Sequence, residues 1–584
     1  MIGPYRMVLV NIISSLLLFG GTFFYKYIYP KKKINLFVLL LLISILPLIS
    51  ILRAGVYQSG DFTINVYKTM SLYSAFSDKV FLPSWAEALN ATYGYPLFMF
   101  TYPLPYYIAS LFHFIGFSFI NSIKLLLIGS FILSGITMYL WAKDSFGKLP
   151  GFVASIFYLF NPYHLIDLNF RADIGEIISF VFLPLTLLSA RKIFKEPKPH
   201  WFLLASLSIC GLILSHQAVS VSFIPFVILY GLFEFYRLRK KEMLKLFSFG
   251  FSVLLGFLLS AFYWIPGIFE GIYTRRAITQ EILFRNFWEY LFSPWKMGLL
   301  FQGDKGELSF IIGYIQLFVI LTALVFLFKH MIKNTYQKQF LMFFLFAFFF
   351  TFFMTQSISK PLWYMIPLIK NFQFTFRLLV DIAFFTSAIA AVIAKNIKKP
   401  IFIYALLSIA IFSTILNWGN RGTIADATDS VLARNVPLST SLGEGLEPAA
   451  PKWLDIKHIW LTVIPKNHLE VLSGRAKIYQ TFRNSVRHEY TVVSQKPSLF
   501  KENTAYFPGW TVYANDKKIN IYYQNPKYPG IITFTLPNGY YKIKVVFEDT
   551  IWTLWGKLIS IFTLIGICLL LLAKFLMPKA LSKH

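Results

Sequence analysis

A small set of ionisable side chains stands in short polar segments between the long apolar runs of this sequence. These side chains are Asp61, Arg171, Asp173, Glu176, His216 and Arg377. Three of them fall within residues 161–176, and the others lie at the ends of separate apolar runs. Ionisable groups are costly at membrane depth and mark functional sites by default. The pattern therefore predicts one site built from several segments.

Carboxylates together with arginine and histidine suit glycosyl transfer at a lipid phosphate. A carboxylate can take the proton from an acceptor hydroxyl as its oxygen attacks the anomeric carbon. Arginine or histidine can neutralise the departing phosphate, and the guanidinium matches phosphate geometry. We therefore predict Asp61, Asp173 and Glu176 as catalytic residues, and Arg171, His216 and Arg377 as substrate-binding residues. Asp173 and Glu176 share one face if a helix begins there.

Each predicted residue has an expected role. Asp61 acts as the base or a metal ligand, and Asp173 or Glu176 orients the acceptor or holds a cation. Arg171 holds the acidic segment in place. His216 and Arg377 contact the lipid phosphate, where charge develops on the leaving group.

The motifs that the sequence lacks argue against several classes of enzyme. A divalent cation held by carboxylates could replace arginine at the phosphate, but the sequence has no compact metal motif, so metal dependence stays open and no organic cofactor is expected. Walker A, G-x-S-x-G and H-E-x-x-H motifs are missing from the sequence, which argues against a P-loop ATPase, that type of serine hydrolase and a zincin. The donor is then expected to carry its own activation, as polyprenyl-phosphate sugars do.

The composition places these residues in a membrane protein. Of 584 residues, 56% are hydrophobic and 14% charged, whereas soluble domains have about 45–50% and about 25%. A soluble enzyme of this size could not bury so much apolar surface, so that class is excluded. The net charge of +28 is attributed to membrane orientation and anionic lipid headgroups, and no nucleic-acid partner is expected.

A membrane-spanning helix needs about 20 apolar residues, and the sequence predicts thirteen such spans. They are residues 7–25, 34–52, 121–141, 150–168, 177–190, 201–215, 218–236, 246–265, 309–328, 340–356, 376–394, 401–417 and 553–575. The apolar stretch 97–119 is predicted to be re-entrant or interfacial. Counting it as a span would move the basic clusters of later loops to the outer face, against the positive-inside rule.

A C-terminal segment differs from the rest. Hydropathy falls over residues 418–552, and in 540–549 the apolar Ile543, Val545 and Phe547 alternate with Lys542 and Lys544. This period of two indicates half-buried strands, and turn signals separate several of them. We predict three parts: a transmembrane catalytic domain at 1–417, an extracytoplasmic β-sandwich at 418–552, and a final helix with a cytoplasmic tail at 553–584.

Several motifs in order resemble a known family. They are 60-GDF-62, 83-PSW-85, 93-YGYPLFMFTYPLPYY-107, 162-PYHLIDLNFRADIGE-176, 215-SHQ-217, 371-NFQFTFRLL-379, 503-NTAYFPGWTVYANDKKI-519 and 536-LPNGYYKIKVVFED-549. On these motifs the chain resembles the YfhO-like, 6-pyruvoyl-tetrahydropterin synthase-related bacterial membrane proteins. They look like members of the GT-C superfamily of polytopic glycosyltransferases.

The resemblance implies a GT-C-like fold and an activity. By position it assigns the first-loop catalytic acid to Asp61, with Asn65 standing near a place where the family often has histidine. In the Q-F-x-x-R pattern at 373–377 it makes Arg377 the contact for donor or phosphate. The implied partners are membrane lipid, a polyprenyl-phosphate sugar donor and an envelope glycopolymer, lipid or protein acceptor. The implied location is the bacterial or archaeal plasma membrane.

Two other classes of function stay open from the sequence. A transporter or flippase of lipid-linked saccharides would also need a polytopic bundle, and a non-catalytic scaffold would use the β-domain for binding. Transporters usually show internal repeats and helices broken near the midplane. The sequence has no such repeat, and its polar residues gather near one end of the spans, which favours the enzyme.

Overall fold

The computed structural model describes most of the chain. The described residues are 6–238, 242–276, 281–292, 308–366, 369, 372–419, 422–438, 448–454 and 463–576. Helices occupy most of the first two-thirds, and strands dominate residues 469–547. The predicted helical membrane protein with a C-terminal β-sheet region is thereby confirmed. The predicted domain bounds at 417 and 552 stay a prediction, and the parts at 439–447 and 455–462 lie outside the described residues.

Eight helices in the described part are long and apolar enough to cross a membrane. They are Arg6–Ile28, Phe119–Phe146, Ile174–Lys195, Gln217–Tyr236, Thr335–Thr355, Thr375–Asn396, Pro400–Asn417 and Ile551–Leu572. A ninth candidate is the pair Met243–Leu259 and Ala261–Phe269, which is bent by 70°. Shorter apolar helices are Leu36–Leu52, Lys148–Leu159, Pro199–Ser215 and Tyr314–Phe328. Each predicted span corresponds to one of these elements, but the number of crossings stays a prediction.

Short helices fill the connections. They are Phe62–Ser77, Leu97–Phe100, Leu104–Phe114, Pro162–Ile166, Phe287–Leu291, Lys360–Met365 and Asp429–Asn435. The stretch 97–119 therefore contains two short helices before the next long one begins. The predicted span 150–168 is wrong in its second half, because the helix ends at Leu159. Pro162 lacks an amide hydrogen and disfavours a helical residue before it, so the helix cannot continue through Asn161.

The described residues cluster into two compact units. The first contains Met1–Asn65, Phe112–Gly256 and Glu281–Thr428. The second contains Val66–Leu111, Phe257–Gln280 and Asp429–His584. All six predicted site residues belong to the first unit, so one compact body holds them.

The helix that carries Arg377 near its beginning is the most buried one. Every residue from Leu379 to Ala394 is buried, and the helix packs against Lys148–Leu159 and Thr335–Thr355. Small residues such as Ala383 and Ser387 let neighbouring helices approach closely. By contrast, Arg6–Ile28 is only 17% buried over its apolar window, as expected of a helix that faces lipid.

The strands form one short ladder in the first unit and two sheets in the second. In the first unit β1 (Val56–Tyr57) pairs with β2 (Thr423–Ile424). The remaining strands are β3 (Leu469–Ser473), β4 (Ala476–Asn484), β5 (Arg487–Ser494), β6 (Ser498–Ala505), β7 (Trp510–Ala514), β8 (Lys517–Ile519), β9 (Tyr522–Asn525), β10 (Tyr528–Leu536) and β11 (Gly539–Phe547). Sheet orders are β3-β6-β10-β9 and β4-β5-β11-β7-β8, and all pairs are antiparallel.

The two larger sheets meet through a buried polar cluster. Glu502 on β6 accepts hydrogen bonds from Arg483 at 3.1 Å, His488 at 2.9 Å and Tyr490 at 3.0 Å, all from β4 and β5. The predicted alternation on β11 is confirmed, since Ile543 and Val545 are buried. A sandwich of two antiparallel sheets therefore forms the core of the C-terminal region.

Candidate active site

The segment between two helices fixes the acidic residues. The side chain of Asn161 caps the short helix Pro162–Ile166 by accepting from the backbone N–H of Tyr163 at 3.0 Å. A wide turn follows, and Ala172 adopts a left-handed φ of 54°. Asp173 then caps Ile174–Lys195, because its Oδ1 accepts from the N–H groups of Gly175 and Glu176 at 3.2 and 3.1 Å. The two helix caps and the turn at Ala172 therefore fix the backbone that carries the carboxylates.

Arg171 is the centre of the cluster. Its guanidinium lies 2.9 Å from Glu176 and 3.1 Å from Asp173, and it also contacts Asp167. The same group donates to the hydroxyl of Tyr163 at 2.7 Å, and that hydroxyl donates to Glu176 at 2.6 Å. Arg171 is 7% exposed, while Asp167 and Glu176 are 0% exposed. One guanidinium therefore contacts all three buried carboxyl groups.

His216 and Arg377 approach this cluster from other helices. Nδ1 of His216 lies 3.4 Å from the Val219 N–H and caps Gln217–Tyr236, while its Nε2 faces the acidic cluster. This Nε2 is 3.9 Å from Asp173 and 3.4 Å from the Arg377 guanidinium. Nε of Arg377 lies 3.4 Å from Glu176. Burial lowers the pKa of His216 to about 4, so its ring is neutral at pH 7.

Asp61 joins the site through the backbone. Its N–H donates to the carbonyl of Arg171 at 2.7 Å, and the N–H of Gly60 donates to the carbonyl of Phe170 at 2.8 Å. The Asn65 amide donates to the carbonyl of Ala172 at 3.0 Å. Asp61 is half-buried, unlike the carboxylates behind it. The first polar segment is therefore attached directly to the turn that carries Arg171.

The structure brings all six predicted residues into one neighbourhood of the first unit, but their roles stay predictions. The cluster also contains Tyr163 and Asp167, which the sequence did not predict as site residues. Asp167 stands four positions before Arg171 and so at helical spacing, which is a signal that the sequence contained. Tyr163 gave no such signal, because a tyrosine near the end of an apolar run usually marks the membrane interface.

A cation could be held here by spacing alone. Ligand atoms of Asp173, Glu176 and His216 all lie within 4.8 Å of one another. However, both oxygens of Glu176 already face guanidinium groups, Oε2 at 2.9 Å from Arg171 and Oε1 at 3.4 Å from Arg377. A divalent cation would have to displace or approach two positive charges, so the donor set fits a metal poorly as it stands.

Comparison with known proteins identifies the family of this chain. Residues 98–420 match the family described as "6-pyruvoyl-tetrahydropterin synthase related domain; membrane protein", which is more than half of the 584 residues. The family resemblance inferred from the motifs is thereby confirmed. An uncharacterized protein of Lactococcus lactis subsp. cremoris (strain MG1363) is 28% identical over 316 residues, or 51% of this chain and 50% of that protein. The chain therefore aligns with half the length of this relative.

Two solved structures are similar at lower identity. Both are cryo-EM structures of the arabinofuranosyltransferase AftD from Mycobacteria, one of them a mutant. Their identities to this chain are 13% and 11%, with TM-scores of 0.39 and 0.37. The matches cover 65% and 71% of this chain and 27% of each AftD chain.

Proposed function

The chain belongs to the 6-pyruvoyl-tetrahydropterin synthase related family of membrane proteins, and from this premise we propose that it is a GT-C-type glycosyltransferase. It moves a sugar from a polyprenyl-phosphate donor to a cell-envelope glycopolymer, lipid or protein on the outer face of a bacterial or archaeal plasma membrane. One observation carries the proposal: a half-buried carboxylate, Asp61, is bonded through its backbone to a buried cluster of fixed charges.

Asp61 is the proposed base. It takes the proton of the acceptor hydroxyl while that oxygen forms a bond to the anomeric carbon of the donor. The bond from the anomeric carbon to the phosphate oxygen breaks, and its electron pair leaves with the polyprenyl phosphate. Its half-buried position supports this role, because a base must reach a hydroxyl that arrives from outside.

Arg377 is the proposed phosphate contact, with neutral His216 beside it. The Arg377 side chain is 17% exposed, more than Asp173 or Glu176 behind it. Glu176 lies beside Nε of the guanidinium and His216 beside one of its Nη nitrogens, so an oxyanion would approach the remaining N–H groups. Fixed donors aimed at developing charge stabilise a transition state because no reorganisation is needed.

Asp173, Glu176 and Arg171 are then positioning residues. Asp173 uses Oδ1 as a helix cap and faces Arg171 with Oδ2. Glu176 links Arg171 to Arg377. We assign the stabilisation of the leaving phosphate to arginine and not to a divalent cation, since two guanidinium groups already contact Glu176. Retained turnover after chelation of divalent cations would support this assignment, and abolished turnover restored by Mg²⁺ or Mn²⁺ would refute it.

The test uses purified protein in detergent, a polyprenyl-phosphate hexose and an envelope extract. Release of polyprenyl phosphate is measured together with sugar in the extract, because a flippase would move the lipid without releasing it. Asp61→Asn should lower turnover about 100–1000-fold, the effect of losing one well-placed electrostatic group. Glu281→Gln is the control, since Glu281 is exposed. Wild-type turnover of Asp61→Asn would remove the assignment of the base.

A further inference from the structure

The β-sandwich contains a cavity that the proposed reaction does not use. Its volume is about 420 Å³, and all its lining residues belong to the second compact unit. Among them are Leu499, Tyr522, Tyr523, Gln524, Asn525 and Thr533. They come from β6, β9 and β10, and β9 is the edge strand of the four-stranded sheet.

The alternation of side chains places this cavity on the face away from the sandwich core. Phe500 and Phe534 are buried and stack with ring centroids 5.5 Å apart. Their neighbours Leu499 and Thr533 must project to the opposite face, because successive residues of a strand alternate. Tyr522 pairs with Thr533 across the ladder and therefore belongs to that face.

The lining combines an aromatic ring with uncharged polar groups. Tyr522 is 55% exposed, and Gln524, two residues along the same strand, projects to the same side and supplies an amide donor and acceptor. Tyr523 is fixed by stacking on Tyr506, with centroids 3.9 Å apart and planes inclined by 3°. Tyr523 projects to the face opposite Tyr522, so this stack fixes the strand that carries Tyr522 and not the Tyr522 ring itself.

Two of the charges near this face compensate each other, whereas Lys527 in the turn after β9 is exposed. Lys501 lies on the same face of β6 as Leu499, and its ammonium is 2.9 Å from Glu470. An anionic ligand would have to break this pair. A peptide adding to the edge would find only four residues of β9, followed directly by Pro526. A lipid tail would leave the amide of Gln524 without hydrogen-bond partners, which is unfavourable.

We propose that this cavity binds a neutral oligosaccharide segment of the acceptor, with a sugar ring on Tyr522 and hydroxyl groups on Gln524. The identification as part of the acceptor rests on the proposed glycosyltransferase function. A polyhydroxylated ring has apolar C–H faces and an equatorial set of donors and acceptors, which matches an aromatic ring with an amide beside it. The sandwich would thereby hold a growing glycan chain near the protein between transfers.

The test is direct binding to the purified full-length protein in detergent. The probes are neutral hexasaccharides of glucose, galactose and mannose, with sulfated counterparts of each. At least one neutral probe should bind, and Tyr522→Ala should weaken it about threefold to tenfold, the range for one aromatic contact. Tyr522→Phe should retain binding. Tyr540→Ala is the matched control, because Tyr540 is 58% exposed on the other sheet.

Three results would overturn the site: no neutral probe binds, the sulfated probes bind better, or Tyr540→Ala weakens binding as much as Tyr522→Ala. Failure of the transfer reaction is distinguishable. Asp61→Asn should bind the neutral probe like wild type, so binding without any transfer activity in the wild type would refute the proposed enzyme and leave the saccharide site intact. Full transfer to the native acceptor by Tyr522→Ala would refute the acceptor role of the site alone.

Discussion

Replacing Arg171 by methionine should destabilise the first unit far more than removing an exposed arginine. The guanidinium has carboxylate partners at 2.9 Å in Glu176 and 3.1 Å in Asp173, and it also contacts Asp167. Methionine has a similar length and no charge. The variant therefore leaves three carboxylates in a site where Asp167 and Glu176 are 0% exposed.

The magnitude follows from burial. Removing one partner of a buried ion pair costs about 3–5 kcal/mol, because an uncompensated charge remains. An exposed pair contributes about 0–1 kcal/mol. Arg285 supplies the comparison, since it lies 2.8 Å from Glu289 with side-chain exposures of 31% and 37%. Nearly equal distances should thus give free energies of unfolding that differ by about 3 kcal/mol.

The assay is reversible unfolding of the purified protein in mixed micelles, with Arg171→Met, Arg285→Met and wild type side by side. Adding Glu176→Gln to Arg171→Met removes one of the stranded charges. The double variant should recover about 1–3 kcal/mol, as expected of residues in direct contact. Equal losses for Arg171→Met and Arg285→Met, or no recovery in the double variant, would refute the view that Arg171 neutralises the buried carboxylates.

Three further predictions concern other parts of the chain. Burial alone would lower the pKa of His488, but Glu502 and other partners raise it to about 9. The sandwich should therefore lose stability as pH rises from about 6.5 to about 9. In His488→Gln, the stability followed by tryptophan fluorescence should depend less on pH than in the wild type. Neither carboxyl oxygen of the fully buried Asp381 makes a well-formed hydrogen bond to a described residue, although the Ser222 side chain lies near it. Asp381→Leu should therefore raise the free energy of unfolding by about 1–3 kcal/mol; a loss would contradict this. Gly94→Ala should lower the thermal midpoint, because φ is +65° and a Cβ would clash with the Trp85 indole; an unchanged midpoint would contradict this.

Much of the helical scaffold could be predicted because apolar length is a local property. The run of residues at 376–394 was sufficient to predict the buried helix that the structure places at Thr375–Asn396. The break after Leu159 was missed, since hydropathy continues through the Asn161–Pro162 step while backbone hydrogen bonding cannot. A local rule for proline therefore outweighed an averaged apolar signal.

The candidate site was partly predictable for a similar reason. Arg171, Asp173 and Glu176 are close in sequence, so any turn between two spans brings them together. The approach of His216 and Arg377 at 3.4 Å depends on how separate helices pack, which a single sequence does not encode locally. The role of Tyr163 in the site was not predicted, because the hydrogen bond of 2.6 Å from its hydroxyl to Glu176 depends on the conformation of the turn.

Asp61 at the rim of the site and Arg171 in its interior have different proposed roles. Variants at the two positions should therefore differ in their effects on turnover and on the free energy of unfolding. Asp61 is half-buried and makes its contact to Arg171 through backbone atoms, so Asp61→Asn keeps that hydrogen bond and should lower turnover while changing the free energy of unfolding less than Arg171→Met does. Arg171 uses its side chain on buried carboxylates, so its loss should reduce both. Preorganised charge has this consequence generally: the groups that stabilise a transition state must first be stabilised by their neighbours. A variant Asp61→Asn as unstable as Arg171→Met would show that Asp61 belongs to the structural cluster and would argue against its role as base.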